Sequence, residues 1–156
     1  MKIAIFPGSF DPITNGHLDI VKEGLKLFDI VILLVADNEN KKSRFTTEQR
    51  LLMAKEAVKD IKGAVVDSTH GLTVDFAKKV GTHYLIRGIR NDADATYEKN
   101  YEDLTHQLDK SIEFIYIKAK PEHVGISSTL IEKMVGEGKD ISALVPNSVM
   151  EMYKKR

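Results

Sequence analysis

Residues 7–17 read Pro-Gly-Ser-Phe-Asp-Pro-Ile-Thr-Asn-Gly-His, between the apolar run Ile3-Ala4-Ile5-Phe6 and an amphipathic segment. A strand, a glycine-containing turn and a helix start carrying an imidazole is how an α/β protein presents a phosphate to a histidine. Gly8 permits close approach of backbone to ligand. Gly16 and His17 stand where the free N–H groups and positive dipole of a new helix favour anions. Phosphate chemistry is expected, with His17 facing the phosphate.

Three further loops carry matching chemistry. Asp37-Asn38-Glu39-Asn40-Lys41-Lys42-Ser43-Arg44 holds three cations in four residues, and a long flexible lysine can neutralise a phosphate as a point charge. By residue type alone the loop could equally be a solvated surface. Arg87-Gly88-Ile89-Arg90 places two planar guanidinium forks after an apolar run, suited to bidentate phosphate contacts or to ion pairs with Asp92, Asp94 or Glu98. Gly125-Ile126-Ser127-Ser128-Thr129 opens a helix with more hydroxyls than capping needs, a second anion site. No general base is spaced to make those hydroxyls nucleophiles.

These loops need a frame. Ile3 to Phe6, Ile30 to Ala36, Ala64 to Val66, Tyr84 to Ile86 and Ile112 to Ile117 read as strands, and their continuous hydrophobicity implies burial on both faces. Between them Leu18 to Leu27, Thr47 to Lys59, Val74 to Val80 and Asp92 to Leu108 have helical spacing, and two shorter helices close the chain. Thr46 or Thr47 can cap the second helix, and Pro146 starts the last. The fold predicted is α/β, a doubly wound, Rossmann-like five-stranded parallel sheet in a single domain spanning residues 1–156. Such a sheet binds ligands beyond the carboxyl ends of its strands, so the turns after strands one, two, four and five should converge.

Composition bounds the rest. A chain of 156 residues can bury roughly 70% of its unfolded surface without a staple. Lys plus Arg (23) equal Asp plus Glu (23), which lacks the basic excess of a nucleic-acid binder. With no cysteine, disulfides, thiolate metal sites and thiol redox catalysis are excluded. His70, His83, His106 and His123 show no metal-ligand spacing and read as surface or packing residues, and Asp11, an acid near the site, is not assigned as a ligand. The longest apolar run, Ile30 to Ala36, is too short to cross a bilayer, so a cytoplasmic protein with no membrane partner is expected.

The strings Pro7 to His17, Arg87-Gly88-Ile89-Arg90 and Ile126-Ser127-Ser128-Thr129, in this order and spacing, resemble those of the bacterial phosphopantetheine adenylyltransferases, and the resemblance runs essentially end to end. It implies transfer of AMP from ATP to 4'-phosphopantetheine, giving dephospho-coenzyme A and pyrophosphate, in a magnesium-using homohexamer. It assigns ATP contacts to Ser9, Phe10, His17, Gly88, Ile89, Arg90, Glu98, His123, Val124, Gly125, Ile126, Ser127, Ser128 and Thr129. It assigns the acceptor to Ser9, Lys41, Thr73 and Arg87, and selects Lys41 over Lys42. The chain departs from the family pattern at Phe6, Thr73, Asp94-Ala95-Thr96-Tyr97 and His123-Val124-Gly125.

The nucleophile in that reaction is a phosphate monoester already ionised near neutral pH, so catalysis reduces to alignment and charge stabilisation. His17 and Lys41 are assigned to the α-phosphate, Arg90 and Ser127 to Thr129 to the β- and γ-phosphates, and Arg87 with Lys41 to the acceptor's phosphate. His17, Lys41 and Arg90 are the catalytic set. No protein ligand is assigned to magnesium, which often binds through phosphate oxygens and water. Two other readings differ in acceptor or in kind: a nucleotidyltransferase acting on nicotinate mononucleotide or a sugar or alditol phosphate, and a nucleotide sensor without turnover.

Overall fold

The computed structural model describes residues 1–37, 42–90 and 92–156. Strands β1 (Ile3–Gly8), β2 (Ile30–Ala36), β3 (Ala64–Thr69), β4 (Tyr84–Gly88) and β5 (Glu113–Ile117) alternate with helices α1 (Asn15–Gly24), α2 (Thr47–Val58), α3 (Thr73–Val80) and α4 (Asp92–Leu108), and α5 (Ser128–Gly136) and α6 (Asn147–Lys154) follow. The strands form one parallel sheet in the order β3-β2-β1-β4-β5. The chain winds outward from β1 to β3 and then returns to lay β4 on the other side of β1. That reversal is the switch point of a doubly wound sheet. The expected fold class is therefore the observed one.

Both faces of the sheet are covered at its centre, which is why β1 and β2 are continuously apolar and buried, whereas the edge strand β3 ends in Asp67-Ser68-Thr69 and alternates in exposure. Ala4, Phe6, Val31, Leu33 and Val35 point into one core with Leu18 and Val21 of α1, Met53 and Ala54 of α2, Ile131 of α5 and Val149 and Met152 of α6. The intervening Ile5, Ile32, Leu34 and Leu85 meet Val74, Phe76 and Ala77 of α3 on the other side. Among the described residues no helix is long and apolar enough to cross a membrane.

Element bounds shift where capping overrides hydrophobic spacing. α1 begins at Asn15, so Gly16 and His17 stand in its first turn as expected although its apolar spacing starts only at Leu18, because Thr14 caps it: the His17 N–H reaches Thr14 Oγ1 at 3.4 Å and the His17 ring accepts the Thr14 N–H. Thr46, rather than Thr47, caps α2 in a reciprocal pair with Gln49. β1 and β3 run past the expected Phe6 and Val66 to Gly8 and Thr69, and β5 starts at Glu113 rather than Ile112.

Candidate active site

At the carboxyl ends of β1 and β4 a cavity of about 610 Å³ opens over the switch point. The turn after β1, the segments flanking β2 and β4, the start of α3 and the β5–α5 connection all reach its wall. Gly16 lets two of these meet: a Cβ there would lie 3.3 Å from the His123 carbonyl oxygen, so α1 and the β5–α5 connection pack backbone against backbone. Gly88 has a packing reason as well, since its Cβ would fall 2.4 Å from Ile20 Cδ1.

His17 sits half-buried in the first turn of α1, edge-on to the Phe10 ring at 5.0 Å. Phe10 adopts φ 46°, a left-handed conformation that costs a bulky residue roughly 1–2 kcal/mol and is held here by its packing on Phe6 and His17. Burial, followed by the charges of Arg90 and Arg87, pulls the His17 pKa down from 6.5 to about 4. The ring is neutral near pH 7. Its Nδ1 accepts the Thr14 N–H at 3.0 Å, so the ring proton resides on Nε2.

Both motif arginines are held by carboxylates. Arg87 grips Glu98 in a two-pronged pair, Nε to Oε2 at 2.8 Å and Nη2 to Oε1 at 2.9 Å, donates Nη1 to the Pro7 carbonyl at 2.9 Å and lies over the Tyr101 ring at 4.5 Å. Burial would lower the Arg87 pKa, but hydrogen bonding to Glu98 and its charge outweigh that and raise it. Three of its five N–H hydrogens thus have acceptors among the described residues, leaving donors for an anion. Arg90 pairs with Asp94 at 2.8 Å on a more exposed edge. The ion-pair reading of these arginines therefore holds for both, alongside their place on the cavity wall.

The hydroxyls at the start of α5 are also engaged. Ser127 caps the helix through the Leu130 N–H at 3.0 Å, Ser128 donates to the Pro12 carbonyl at 2.8 Å, and Thr129 accepts from Arg44 at 3.1 Å. Ser128 ties α5 to the turn after β1, Thr129 ties it to Arg44 ahead of α2, and Ser127 serves as the helix cap. Asp11 does similar work, accepting the Arg44 and Phe45 N–H groups at 2.7 and 2.9 Å. His123 is more than a packing residue: it faces the cavity with Nδ1 2.7 Å from the buried Asp19 carboxylate, which also accepts the Lys120 N–H. Among the described residues no three His, Cys, Asp or Glu side chains converge as a metal cage.

A profile of the cytidylyltransferase-like family matches residues 5–134. The phosphopantetheine adenylyltransferase of Limosilactobacillus reuteri (strain DSM 20016) is 44% identical over 156 residues, all of this chain and 90% of the relative. Its namesake from Clostridium beijerinckii is 39% identical over all of this chain and 98% of the relative, and that of Streptococcus pneumoniae (strain 70585) 41% over 96% and 93%. The chain belongs to the phosphopantetheine adenylyltransferase family. It is thus a nucleotidyltransferase.

Set against this family's expected contacts, Ser9, Phe10, His17, Thr73, Arg87, Gly88, Ile89, Arg90, Glu98, His123, Val124, Ile126, Ser127 and Ser128 line the one cavity. Gly125 and Thr129 stand off its wall. Lys41 lies outside the described residues. Sequence reasoning missed Arg50, Asp19 and Tyr101, whose contacts cross between elements and leave no local signature.

Proposed function

We propose that the chain, as one domain over residues 1–156, transfers the adenylyl group of ATP to 4'-phosphopantetheine, yielding dephospho-coenzyme A and pyrophosphate. The observation that carries this reading is the neutral His17 on the switch-point cavity, its ring proton on Nε2 and Arg87 and Arg90 lining the same wall. An ionised phosphate oxygen of the acceptor attacks the α-phosphorus in line. The bond from that phosphorus to the bridging oxygen breaks, and pyrophosphate leaves with the electron pair. No proton need be removed from the nucleophile, so the site's work is orientation and charge stabilisation.

In this reading His17 donates Nε2–H to an α-phosphate oxygen, joined by Lys41, and the fixed donor is worth several kcal/mol as charge builds on that oxygen. Arg90 and the α5 start, Ser127 to Thr129, meet the β- and γ-phosphates. The two remaining Arg87 donors, with Lys41, Ser9 and Thr73, take the acceptor. Phe10, Gly88, Ile89 and His123 to Ile126 complete the nucleotide's surroundings. Glu98, with both oxygens on Arg87, acts by orienting that guanidinium rather than by touching ATP. Among the described residues the carboxylates on the cavity wall are Asp94 and Glu98, both held by arginines, so magnesium would be held mainly by the substrate's phosphates and would supply charge neutralisation for the leaving group. A homohexamer acting in the cytoplasm belongs to the same reading. Exposed Tyr97, Leu104 and Leu108 along α4 offer apolar surface for assembly.

An acceptor screen tests the reading. Pyrophosphate release with ATP is expected with 4'-phosphopantetheine and not with nicotinate mononucleotide or sugar phosphates, and CTP should not replace ATP. Release with another acceptor would overturn the substrate assignment. ATP binding without release would make the chain a sensor.

A further inference from the structure

Arg50 belongs to the first turn of α2, where a cation ordinarily points to solvent, yet it is 2% exposed and forms part of the cavity wall. Its Nη1 donates to the Ser9 and Ala36 carbonyls at 2.8 and 2.9 Å, Nε to the Phe45 carbonyl at 3.2 Å and Nη2 to Thr47 Oγ1 at 3.1 Å. One guanidinium thereby joins the turn after β1, the end of β2 and the segment entering α2. All four acceptors are uncharged. The motif arginines differ, Arg87 being matched by Glu98 and Arg90 by Asp94. Among the described residues no carboxylate lies within salt-bridge distance of Arg50. A buried cation satisfied by neutral oxygens keeps its hydrogen bonds but not its charge balance, a state that favours arrival of an anion.

Resting on the adenylyl-transfer reading, we propose that Arg50 is a positioning residue for that reaction, clamping the Ser9 turn against the end of β2 while leaving an uncancelled positive charge in the cavity wall. Ser9 immediately precedes left-handed Phe10, whose ring packs on His17, so slack at Ser9 passes directly to the imidazole. The fork geometry is required for the clamp, because its four bonds reach three chain segments and an ammonium on a flexible stem cannot meet them together. The charge alone suffices for anion attraction. The two contributions can therefore be separated by substitution.

The full-length Arg50→Lys and Arg50→Gln proteins are compared with wild type in calorimetric pyrophosphate binding and in kcat and KM for ATP, each normalised to the folded fraction from thermal unfolding. For Arg50→Lys, pyrophosphate affinity is expected within about threefold of wild type while kcat falls about tenfold or more, since charge is kept and the fork is lost. For Arg50→Gln, pyrophosphate affinity should also fall about tenfold, with a shallower dependence on salt. Unchanged kcat in Arg50→Lys, or a loss of kcat matched by an equal loss of affinity, overturns the proposal. If Arg50→Gln fails to fold, the split between affinity and kcat in Arg50→Lys decides. Wild-type protein that binds pyrophosphate but makes no dephospho-coenzyme A would sink the acceptor assignment and leave the affinity comparison readable.

Discussion

His17 Nδ1 accepts the backbone N–H of Thr14 at 3.0 Å, so the contact that starts α1 also decides which ring nitrogen carries the proton. A backbone N–H can only donate, hence the neutral ring is protonated on Nε2. Helix capping and the orientation of the imidazole are here one interaction. In the proposed reaction neutrality matters too, because a fixed neutral donor would stabilise charge as it develops on an α-phosphate oxygen without binding the ground-state anion as tightly as an imidazolium would.

Replacing His17 by alanine should lower kcat by roughly a hundredfold or more, the scale for removing one preorganised donor. The reciprocal cap is half lost, so stability should drop by only about 1 kcal/mol. Steady-state kinetics beside thermal unfolding separates the two effects.

The His17 pKa of about 4 sets a pH dependence with a definite sign. As pH falls through 6.5 the unfolded chain takes up a proton that the folded ring refuses until about 4. The His17 contribution to stability is therefore complete above 6.5 and lost between 6.5 and 4. Imidazole NMR of the ligand-free protein should show this ring titrating near 4, and urea unfolding of His17→Gln should lack that part of the acid-side decline.

Strand and helix order was legible because each strand contains a short apolar run between segments of helical spacing, and the double cover of the sheet's centre follows from the continuous apolar runs of β1 and β2. The cluster of His17, Arg87, Arg90 and Ser127-Ser128 was legible as turns at one sheet edge. What escaped were contacts that depend on three-dimensional reach. The start of α1 was legible from Gly16 and His17, but its apolar spacing begins only at Leu18 and does not register the Thr14–His17 cap. Arg50 looks like any surface cation of an amphipathic helix until its side chain is seen to turn back 41 residues to Ser9. The Arg87–Glu98 pair was among the ion pairs the sequence offered, but which of the acids would hold which arginine was not legible until the helix carrying Glu98 was placed.

Glu98 and Arg87 have side chains only 7% and 16% exposed, so removing the carboxylate strands a buried guanidinium. Glu98→Ala should destabilise the protein by about 3 kcal/mol, whereas breaking the exposed Lys26–Glu23 pair with Lys26→Ala should cost less than about 1 kcal/mol. Denaturant unfolding at neutral pH measures both.

Asp94 neutralises Arg90 from the exposed rim of the cavity. Asp94→Asn should tighten pyrophosphate binding by about threefold to fivefold at low salt, in line with up to ~1 kcal/mol for such a pair, and the gain should shrink as salt rises. Calorimetric titration at two ionic strengths reads it directly.

The most direct measurement is a single-turnover reaction of the purified protein with ATP, magnesium and 4'-phosphopantetheine, its products identified by mass. Equimolar dephospho-coenzyme A and pyrophosphate from the wild type, with a rate about a hundredfold lower in His17→Ala, is the predicted result. Turnover of this acceptor at an undiminished rate in His17→Ala, or no dephospho-coenzyme A from the wild type, would contradict the account.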